Sequence, residues 1–266
     1  MTSGAIVHII TDVRVDLNSD LGESFGPWAM GQDAALMASI TSANVACGFH
    51  AGDPTAMRAT VTLARTHGVA IGAHPGFPDL VGFGRREIKA TPQEVEDFVL
   101  YQVAALAGIA SAQGVRLQHV KAHGALYNMA CRDRSLADAI ARAVAAFDKT
   151  LILFGLPKSE LIEAGERAGL RVAAEVFADR AYERDGSLAS RSTPGSVIHD
   201  EAVVVERAIR MVRDRQVVAT DGSVIPLDAD TICLHGDTPG AADLARSVRS
   251  GLEAAGIAIR SLGRLA

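Results

Sequence analysis

Short runs of apolar residues recur along the chain, and most of them are continuous rather than alternating with polar residues. Continuous apolar runs of about four to eight residues are typical of strands buried on both faces, as in a parallel sheet. The runs predict seven strands, at 13–17 (VRVDL), 41–47 (TSANVAC), 69–73 (VAIGA), 117–122 (LQHVKA), 150–154 (TLILF), 171–175 (RVAAE) and 231–235 (TICLH).

Helices are predicted between the strands, and two of them have clear terminal signals. One opens at Asp53 and closes at Gly68, because aspartate caps a helix start and glycine suits the position after its end. A second opens on a capping box formed by Thr91 and Glu94 and closes at Gly114. Further helices are predicted at 133–147, 157–168, 199–214 and 239–255. Strands and helices alternate, which predicts an α/β fold.

The spacing of the strands indicates the architecture. The separation between successive strand ends is in most cases close to the roughly 30 residues of a strand-helix-strand unit. Two longer gaps mark insertions, one holding the loop 74–90 and the other holding the loop 178–198 and a hairpin turned at Asp221 and Gly222. Seven units predict a closed or nearly closed β/α barrel, and no linker or repeat divides residues 1–266 into more than one domain. A doubly wound open sheet is the alternative.

Composition narrows the classes of function. The 266 residues include 26 Lys and Arg against 31 Asp and Glu, a formal net charge of −5. This acidity argues against nucleic-acid binding as the main task, since phosphate contact needs a basic face. No basic region precedes the apolar N-terminal stretch, and the longest weakly polar segment, 98–112, is too short to span a bilayer. With three scattered cysteines, these features predict a cytoplasmic protein that binds no membrane and has no disulfide framework.

Polar side chains concentrate where the predicted strands end. These positions hold Asp16, Asn18, Asp20, Asn44, Cys47, His50, Asp53, His74, Lys121, His123, Glu175, His235 and Asp237. In barrels and in open α/β sheets, the carboxyl ends of the strands carry the active site. Asp53 and Asp237 also precede helix starts, where an aspartate is equally expected as an N-cap. The clustering predicts a site for a small-molecule substrate at one rim.

The residues at this rim suit two kinds of chemistry, and the sequence does not choose between them. A carboxylate with two imidazoles is a plausible site for a divalent metal, which would polarise a carbonyl or activate water. The ligands would be Asp20, His50 and His74. Metal-free catalysis would instead use an aspartate or glutamate as base, His123 or His235 as proton donor, and Lys121 to stabilise negative charge.

The two inserted loops carry arginines that suit an anionic substrate. In the first loop, Arg85 or Arg86 could hold a carboxylate or phosphate in bidentate fashion, or form a surface salt bridge. The second loop has the length and polarity of an active-site lid. Its candidate binding residues are Arg180, Tyr182, Arg184 and Arg191. Asn18 and Asn44 complete the predicted substrate-binding set.

Two other features are given a structural interpretation. Cys47 lies three residues before His50, but sequence proximity does not place an imidazole on the thiol, so a packed cysteine is favoured over a nucleophile. The glycine-rich stretches match neither GxxxxGK[ST] nor a GxGxxG after a strand. The chain by itself is therefore not predicted to bind a nucleotide.

Six segments, in this order, resemble the LamB/YcsF family. They are VDLNSDLGESFG, SANVACGFHAGDP, GAHPGFPDLVGFGRR, VKAHGALYN, EVFADRAYERDGSLASRS and LHGDTPGA, and they extend over roughly residues 13–255. Six collinear motifs are far more specific than any one of them. The resemblance implies a seven-stranded β/α barrel related to glycoside hydrolases and deacetylases. It also implies ATP-dependent cleavage of 5-oxoproline to L-glutamate by a 5-oxoprolinase in which two partner subunits, B and C, take part.

The implied activity suggests roles for the candidate residues. The lactam of 5-oxoproline is an unstrained amide, so ATP would supply the driving force through a phosphorylated ring, with the ATP bound by the partner subunits. The group that holds the substrate carboxylate or the phosphate would be Arg85, Arg86 or Arg191. Lys121 and a histidine would stabilise the oxyanion. The base or metal ligand would be Asp16, Asp20 or Glu175. Related deacetylases place a divalent metal on an aspartate and two histidines, which correspond most nearly to the three predicted metal ligands.

Two other functions are kept as alternatives. One is a metal-dependent deacetylase or amidohydrolase that acts on another amide without ATP. The other is a non-catalytic subunit whose rim binds substrate and docks the partners.

Overall fold

The computed structural model describes residues 13–191, 193–234 and 240–263. The strands in these ranges are β1 (Arg14–Leu21), β2 (Ser42–Ala46), β3 (Ala70–His74), β4 (His119–Val120), β5 (Ile152–Gly155), β6 (Arg171–Phe177), β7 (Gln216–Val218), β8 (Val224–Pro226), β9 (Thr231–Leu234) and β10 (Ala258–Ile259). The helices are α1 (Asp33–Met37), α2 (Pro54–His67), α3 (Pro92–Ser111), α4 (Gly124–Ala130), α5 (Arg134–Phe147), α6 (Glu160–Arg167), α7 (Glu201–Arg213) and α8 (Ala241–Ala254).

Seven parallel strands form a closed barrel. Strands β1 to β6 pair in succession, β6 pairs with β9, and β9 pairs with β1, so the ring closes on itself. The predicted seven-stranded β/α barrel is confirmed, and the open-sheet alternative is wrong. Strand β10 adds in parallel to the start of β1, outside the ring. Strands β7 and β8 form the predicted antiparallel hairpin.

The inside of the barrel is polar on one side and apolar on the other. Alternate residues of a strand face opposite sides of a sheet, so every second residue of each strand points into the barrel. On the apolar side, Ile152, Phe154 and Ala173 form a small cluster apart from the main core between barrel and helices. The polar side is lined by Asp16, Asn18, Ser42, Asn44, His119, Glu175 and Thr231, all of them buried.

Helix ends follow the local signals in the sequence. Asp53 caps α2 by accepting hydrogen bonds from the backbone amides of Thr55 and Ala56, and Gly68 ends the helix with a φ of 67°. Thr91 and Glu94 form the predicted capping box of α3. Helix α3 ends at Ser111 rather than at the predicted Gly114. The short elements α1, α4 and β10 were not predicted, because each is too short to show a hydrophobic period.

One strand boundary changes the picture of the site. Strand β1 continues beyond its predicted end at residue 17 to Leu21. Asp16 consequently lies near the amino end of the barrel, paired with Thr231, the first residue of β9. The prediction that Asp16 lies at the carboxyl rim is therefore wrong.

Some predicted features lie outside the described residues. They are His235, Asp237 and the predicted start of the last helix at residue 239, all in the stretch 235–239. Among the helices that are described, none combines the length and the apolar character needed to cross a membrane.

Candidate active site

Lys121, which directly follows β4, is the centre of a charged cluster at the carboxyl rim. Its Nζ lies 2.8 Å from Asp20 Oδ1 and 2.9 Å from Glu175 Oε1, and it donates to Cys233 Sγ at 3.0 Å. Burial by itself lowers the pKa of Lys121, but the negative charges around it outweigh burial, and the pKa lies well above its ordinary value. The side chain is therefore an ammonium held between two carboxylates.

Three histidine rings meet beside this ammonium. His74 Nδ1 donates to the carbonyl of Lys121 at 2.8 Å, and His123 Nε2 donates to the carbonyl of Phe83 at 2.8 Å. The other ring nitrogens, His74 Nε2 and His123 Nδ1, lie 2.9 Å apart. His50 stacks on His123 with ring centres 3.7 Å apart. The three rings therefore converge on one point of the rim.

Two carboxylates flank the histidines. Glu23 Oε1 lies 3.6 Å from His50 Nε2 and 3.9 Å from His123 Nδ1, while Asp20 Oδ2 lies 3.3 Å from His74 Nε2. One candidate ligand atom from each of Glu23, His50, His74 and His123 lies within 4.8 Å of the others, and all four residues are buried. This group of a glutamate and three histidines could hold a metal ion. It shares His50 and His74 with the predicted metal site.

A cavity of about 510 Å³ opens at the same rim. Its ionisable lining comprises Asp20, His74, Arg85, Glu87, Lys121, His123, Tyr127, Cys131, Arg132, Arg180 and Arg191. Arg180 is buried and donates to the carbonyl of Ala189 at 2.6 Å. Burial, together with the charge of Arg191, lowers the pKa of Arg180 to about 10, so the guanidinium stays charged at neutral pH. Positive groups outnumber carboxylates around the cavity, which suits a small anionic ligand.

The first inserted loop separates its two arginines. Arg85 lines the cavity and lies over the ring of Phe83, 5.0 Å from its centre. Arg86 instead pairs with Asp79, whose two carboxylate oxygens accept from Nε at 3.0 and 3.1 Å. This ion pair holds Arg86 away from the residues that line the cavity. Of the two, Arg85 is placed to meet a ligand there.

The second inserted loop packs onto the barrel. Tyr182 is buried, and its hydroxyl accepts from the backbone amide of Phe177 at 2.9 Å. Arg184 is exposed on the outside of the loop. Arg180 and Arg191 line the cavity, whereas Tyr182 and Arg184 do not. Tyr182 therefore anchors the loop, and the arginines on either side of the loop tip face the site.

A chain of hydrogen bonds crosses the polar side of the barrel from Asp20 to Asp16. Asn44 Nδ2 donates to Asp20 Oδ1 at 2.9 Å and to Asn18 Oδ1 at 2.7 Å. Asn18 donates to the hydroxyl of Thr231 at 2.7 Å, and Thr231 donates to Asp16 at 2.6 Å. Asn18 and Asn44, which the sequence predicted as substrate-binding residues, are fully buried and are not among the residues that line the cavity. They belong to the network that supports Asp20.

Asp16 ends this chain at the far side of the barrel. Its carboxylate accepts hydrogen bonds from the hydroxyls of Thr41, Ser42 and Thr231 at 2.6 to 2.7 Å. Burial raises the pKa of Asp16 to about 6, against the lowering effect of the three hydroxyl groups. The residue is fully buried and is not among the residues that line the cavity.

Comparison with known proteins identifies the family. Residues 15–266 match the model of the LamB/YcsF family. The chain belongs to this family. It is similar to the A subunit of 5-oxoprolinase from Tolumonas auensis, with 56% identity over 94% of this chain and 99% of that protein. It is also similar to the A subunit of 5-oxoprolinase from Rhodopseudomonas palustris, with 53% identity over 95% of this chain and 100% of that protein.

A solved structure agrees with the fold. The lactam utilization protein of Thermus thermophilus is 52% identical to this LamB/YcsF chain, with a TM-score of 0.90. The match covers 94% of this chain and 100% of that one. The barrel of this chain is therefore a fold already seen in a relative.

Glu23 and Cys233 are residues of the charged site that the sequence of this LamB/YcsF protein did not indicate. Glu23 follows Gly22, which has a φ of 70° and turns the chain just after β1. Cys233 shares the inward face of β9 with Thr231, two residues before it. Strand alternation could have indicated Cys233 once the end of β9 was known. No signal in the sequence distinguishes Glu23 from an ordinary loop carboxylate.

Cys47 needs no catalytic role. It is buried, its Sγ donates to the carbonyl of Val45 at 3.1 Å, and burial raises the pKa of its thiol to about 12. A thiol with such a pKa supplies almost no thiolate at neutral pH.

Proposed function

We propose that the chain is the A subunit of an ATP-dependent 5-oxoprolinase and that it opens the lactam ring of 5-oxoproline to give L-glutamate. The named relatives support the substrate class, because they match nearly the whole chain at more than half identity. Within the site, the observation that carries the proposal is the ammonium of Lys121 beside a cavity lined by arginines. That arrangement suits a small amide that carries a carboxylate.

The arginines are proposed to hold the charged groups of the substrate. 5-Oxoproline is a small anion, and a cavity of about 510 Å³ accommodates it together with a phosphoryl group. Arg85 and Arg191 have exposed side chains that line this cavity, and a guanidinium group binds a carboxylate or phosphate in bidentate fashion. Arg180, bound to the loop carbonyl of Ala189, adds positive charge and fixes the loop.

The two carboxylates on Lys121 are proposed to have different roles. Glu175 is fully buried and does not line the cavity, so it holds the ammonium in place. Asp20 is partly exposed and lines the cavity, so it serves as the base. Asp20 transfers the protons of the water that attacks the phosphorylated carbon to the ring nitrogen as the C–N bond breaks, which leaves an acyl phosphate on the opened chain. A second water then cleaves the acyl phosphate to L-glutamate and inorganic phosphate. Lys121 stabilises the negative charge that develops on the oxygen atoms of the reacting carbon.

This scheme assigns no proton donation to His123 or His235. The N–H of His123 is bound to the carbonyl of Phe83, and His235 lies outside the described residues. A divalent metal at the histidine group would add polarisation of the carbonyl, but the scheme does not depend on it, because Lys121 already supplies positive charge.

ATP enters the proposal through the partner subunits. The sequence contains no loop of the kind that cradles phosphates after a strand. We therefore assign ATP binding and phosphorylation of the lactam oxygen to subunits B and C, and opening of the activated ring to this chain. The relatives are named as one subunit of 5-oxoprolinase, which supports an assembly of more than one chain.

The decisive experiment measures glutamate released from 5-oxoproline with ATP by the chain alone, by subunits B and C alone, and by the mixture. We expect release from the mixture only. In the mixture, Lys121→Met should lower the rate by roughly 100-fold or more, as loss of a group that stabilises an oxyanion does, while exposed Lys149→Met should leave it unchanged.

Two outcomes would contradict parts of the proposal. Glutamate release by the chain alone would refute the division of labour between subunits. Full activity of a folded Lys121→Met variant in the mixture would favour a non-catalytic subunit that only binds substrate and partners. Lys121→Arg, which keeps the charge, provides a second variant if Lys121→Met does not fold.

A further inference from the structure

We propose that Glu23, His50, His74 and His123 bind a divalent transition-metal ion, with zinc as the best match to the donor set. All four side chains are buried at the carboxyl rim, and their candidate ligand atoms lie within 4.8 Å of one another. Ion binding is inferred from these residues alone. Only a role for the ion in opening the lactam rests on the proposed function.

The orientation of two rings gives the strongest argument. A backbone carbonyl can only accept a hydrogen bond, so His74 Nδ1 and His123 Nε2 both carry hydrogen where they meet the carbonyls of Lys121 and Phe83. In neutral rings the opposite nitrogens then present lone pairs. These two nitrogens lie 2.9 Å apart. Two facing lone pairs repel unless a cation or a shared proton lies between or beside them.

The same carbonyl contacts are those that orient metal-binding histidines in proteins. A ligating histidine almost always donates its other ring N–H to a carbonyl or carboxylate, which fixes the tautomer and the ring. His74 and His123 each have such a partner before any ion is considered. These contacts therefore orient both rings so that His74 Nε2 and His123 Nδ1 present lone pairs to the site.

His50 supplies an independent observation. Both of its ring nitrogens are buried without a hydrogen-bond partner, and an unsatisfied buried polar group destabilises the folded state. His50 Nε2 lies 3.6 Å from Glu23 Oε1, too far for a hydrogen bond. An ion between the imidazole and the carboxylate would satisfy a ring nitrogen of His50. Gly76 leaves the space that the ring occupies, because a Cβ there would lie 2.7 Å from His50 Nδ1.

The donor types indicate which ions fit. Three imidazole nitrogens and one carboxylate match zinc and its neighbours in the first transition row, whereas magnesium and calcium prefer sites made only of oxygen. Asp20 links the group to the catalytic lysine, since one carboxylate oxygen lies 3.3 Å from His74 Nε2 and the other 2.8 Å from Lys121 Nζ. Its negative charge lies between the two positive centres and reduces their repulsion.

The test measures zinc binding by the full-length chain without an affinity tag. The chain is first stripped of metal with a chelator, then given zinc, and unbound zinc is removed by dialysis. We expect about one zinc per chain by elemental analysis, and Co²⁺ should give the visible absorption of a low-coordinate site. Glu23→Gln and His74→Gln should each weaken zinc binding by roughly 10- to 100-fold or more. His67→Gln, an exposed histidine at the end of α2, is the matched control and should bind as the unaltered chain does.

Several results would overturn the inference. One is a folded chain that retains no stoichiometric zinc. Another is zinc binding that Glu23→Gln and His74→Gln leave unchanged, since the zinc would then lie elsewhere. A third is a strongly downfield proton signal from the histidines that persists with excess zinc present, because a shared proton rather than the ion would then bridge the two rings. If His74→Gln does not fold, Glu23→Gln decides the question.

The outcome is separable from that of the proposed function. A chain that binds zinc at these residues but supports no glutamate release with its partners would keep the metal site and refute the proposed activity. A chain that binds no zinc in this test but is fully active with its partners would do the reverse.

Discussion

His119 Nε2 donates a hydrogen bond of 2.7 Å to Oδ1 of Asn44, and this contact fixes the direction of the Asn44 amide. With Oδ1 facing His119, the amino group faces Asp20, which as a carboxylate can only accept. His119 stacks on Phe154 with ring centres 4.3 Å apart. Burial lowers the pKa of His119 to about 3, so the neutral ring keeps its one N–H at physiological pH. Asn44 is therefore a positioning residue for Asp20.

Replacing Asn44 should lower kcat while the chain still folds. Asn44→Ala removes one of the two donors on Asp20 Oδ1, the other being Lys121, and a displacement of the base by about 1 Å can cost up to roughly 100-fold in rate. We expect kcat of the reconstituted complex to fall by about 10- to 100-fold, with little change in KM and with a shifted pH profile. Ser42→Ala, which removes a donor from Asp16 but not from Asp20, is the control. Equal kcat values for the two variants would refute the positioning role.

The architecture could be predicted from the sequence because each βα unit leaves a local signal. Continuous apolar runs marked the strands, and their spacing of about 30 residues marked the crossovers. Helix α2 shows how local the information is, since Asp53 and Gly68 alone set its ends. The rim position of Asp20, His74 and Lys121 followed from the same strand ends.

The depth of a residue in the barrel could not be predicted. Asp16, Asn18 and Asp20 alternate along β1 and all face inward, but a polar residue within an apolar run suggests a strand end. The strand continues because the polar partners that satisfy Asp16 come from other strands: Ser42 and Thr231 are distant in sequence. Contacts between such distant segments, including the approach of Glu23 to the histidines, exist only in the folded chain.

Asp16 should make stability depend on pH in an unusual direction. Its folded pKa of about 6 exceeds the ordinary value of 3.8, so the folded state binds more protons than the unfolded state between these pH values. The contribution of Asp16 to the free energy of unfolding is therefore greatest below about pH 4 and falls as pH rises to about 6, by roughly 3 kcal/mol in total.

Urea denaturation over this pH range tests the assignment. The free energy of unfolding of the unaltered chain minus that of Asp16→Asn should fall by roughly 3 kcal/mol between about pH 4 and pH 6.5. Asp214→Asn, at an exposed position after α7, should leave the pH dependence as it is. A constant difference between the unaltered chain and Asp16→Asn would mean that Asp16 does not carry the shift.

Adjacent arginines should differ in their effect on substrate binding. Arg85 lines the cavity and Arg86 pairs with Asp79, so Arg85→Ala should raise KM for 5-oxoproline by about 10- to 100-fold, the loss expected for a hydrogen bond to a charged group. Arg86→Ala should leave KM near its original value and lower the stability of the loop. Steady-state kinetics of the complex distinguish them, and the opposite ranking would show that the loop rearranges when substrate binds.

Gly72 should be among the least replaceable residues of the barrel, because it leaves the space that His119 fills. A Cβ at Gly72 would lie 2.1 Å from the imidazole, and the ring cannot retreat because Phe154 stacks on it. Gly72→Ala should lower the free energy of unfolding by roughly 1 to 3 kcal/mol or more, and should also lower kcat by turning Asn44 away from Asp20. Gly108→Ala in α3, where a Cβ would meet nothing within 4 Å, should instead stabilise the chain by about 0.5 to 1 kcal/mol. Urea denaturation of both variants checks the contrast, and a Gly72→Ala variant as stable and active as the original would show that His119 does not hold Asn44.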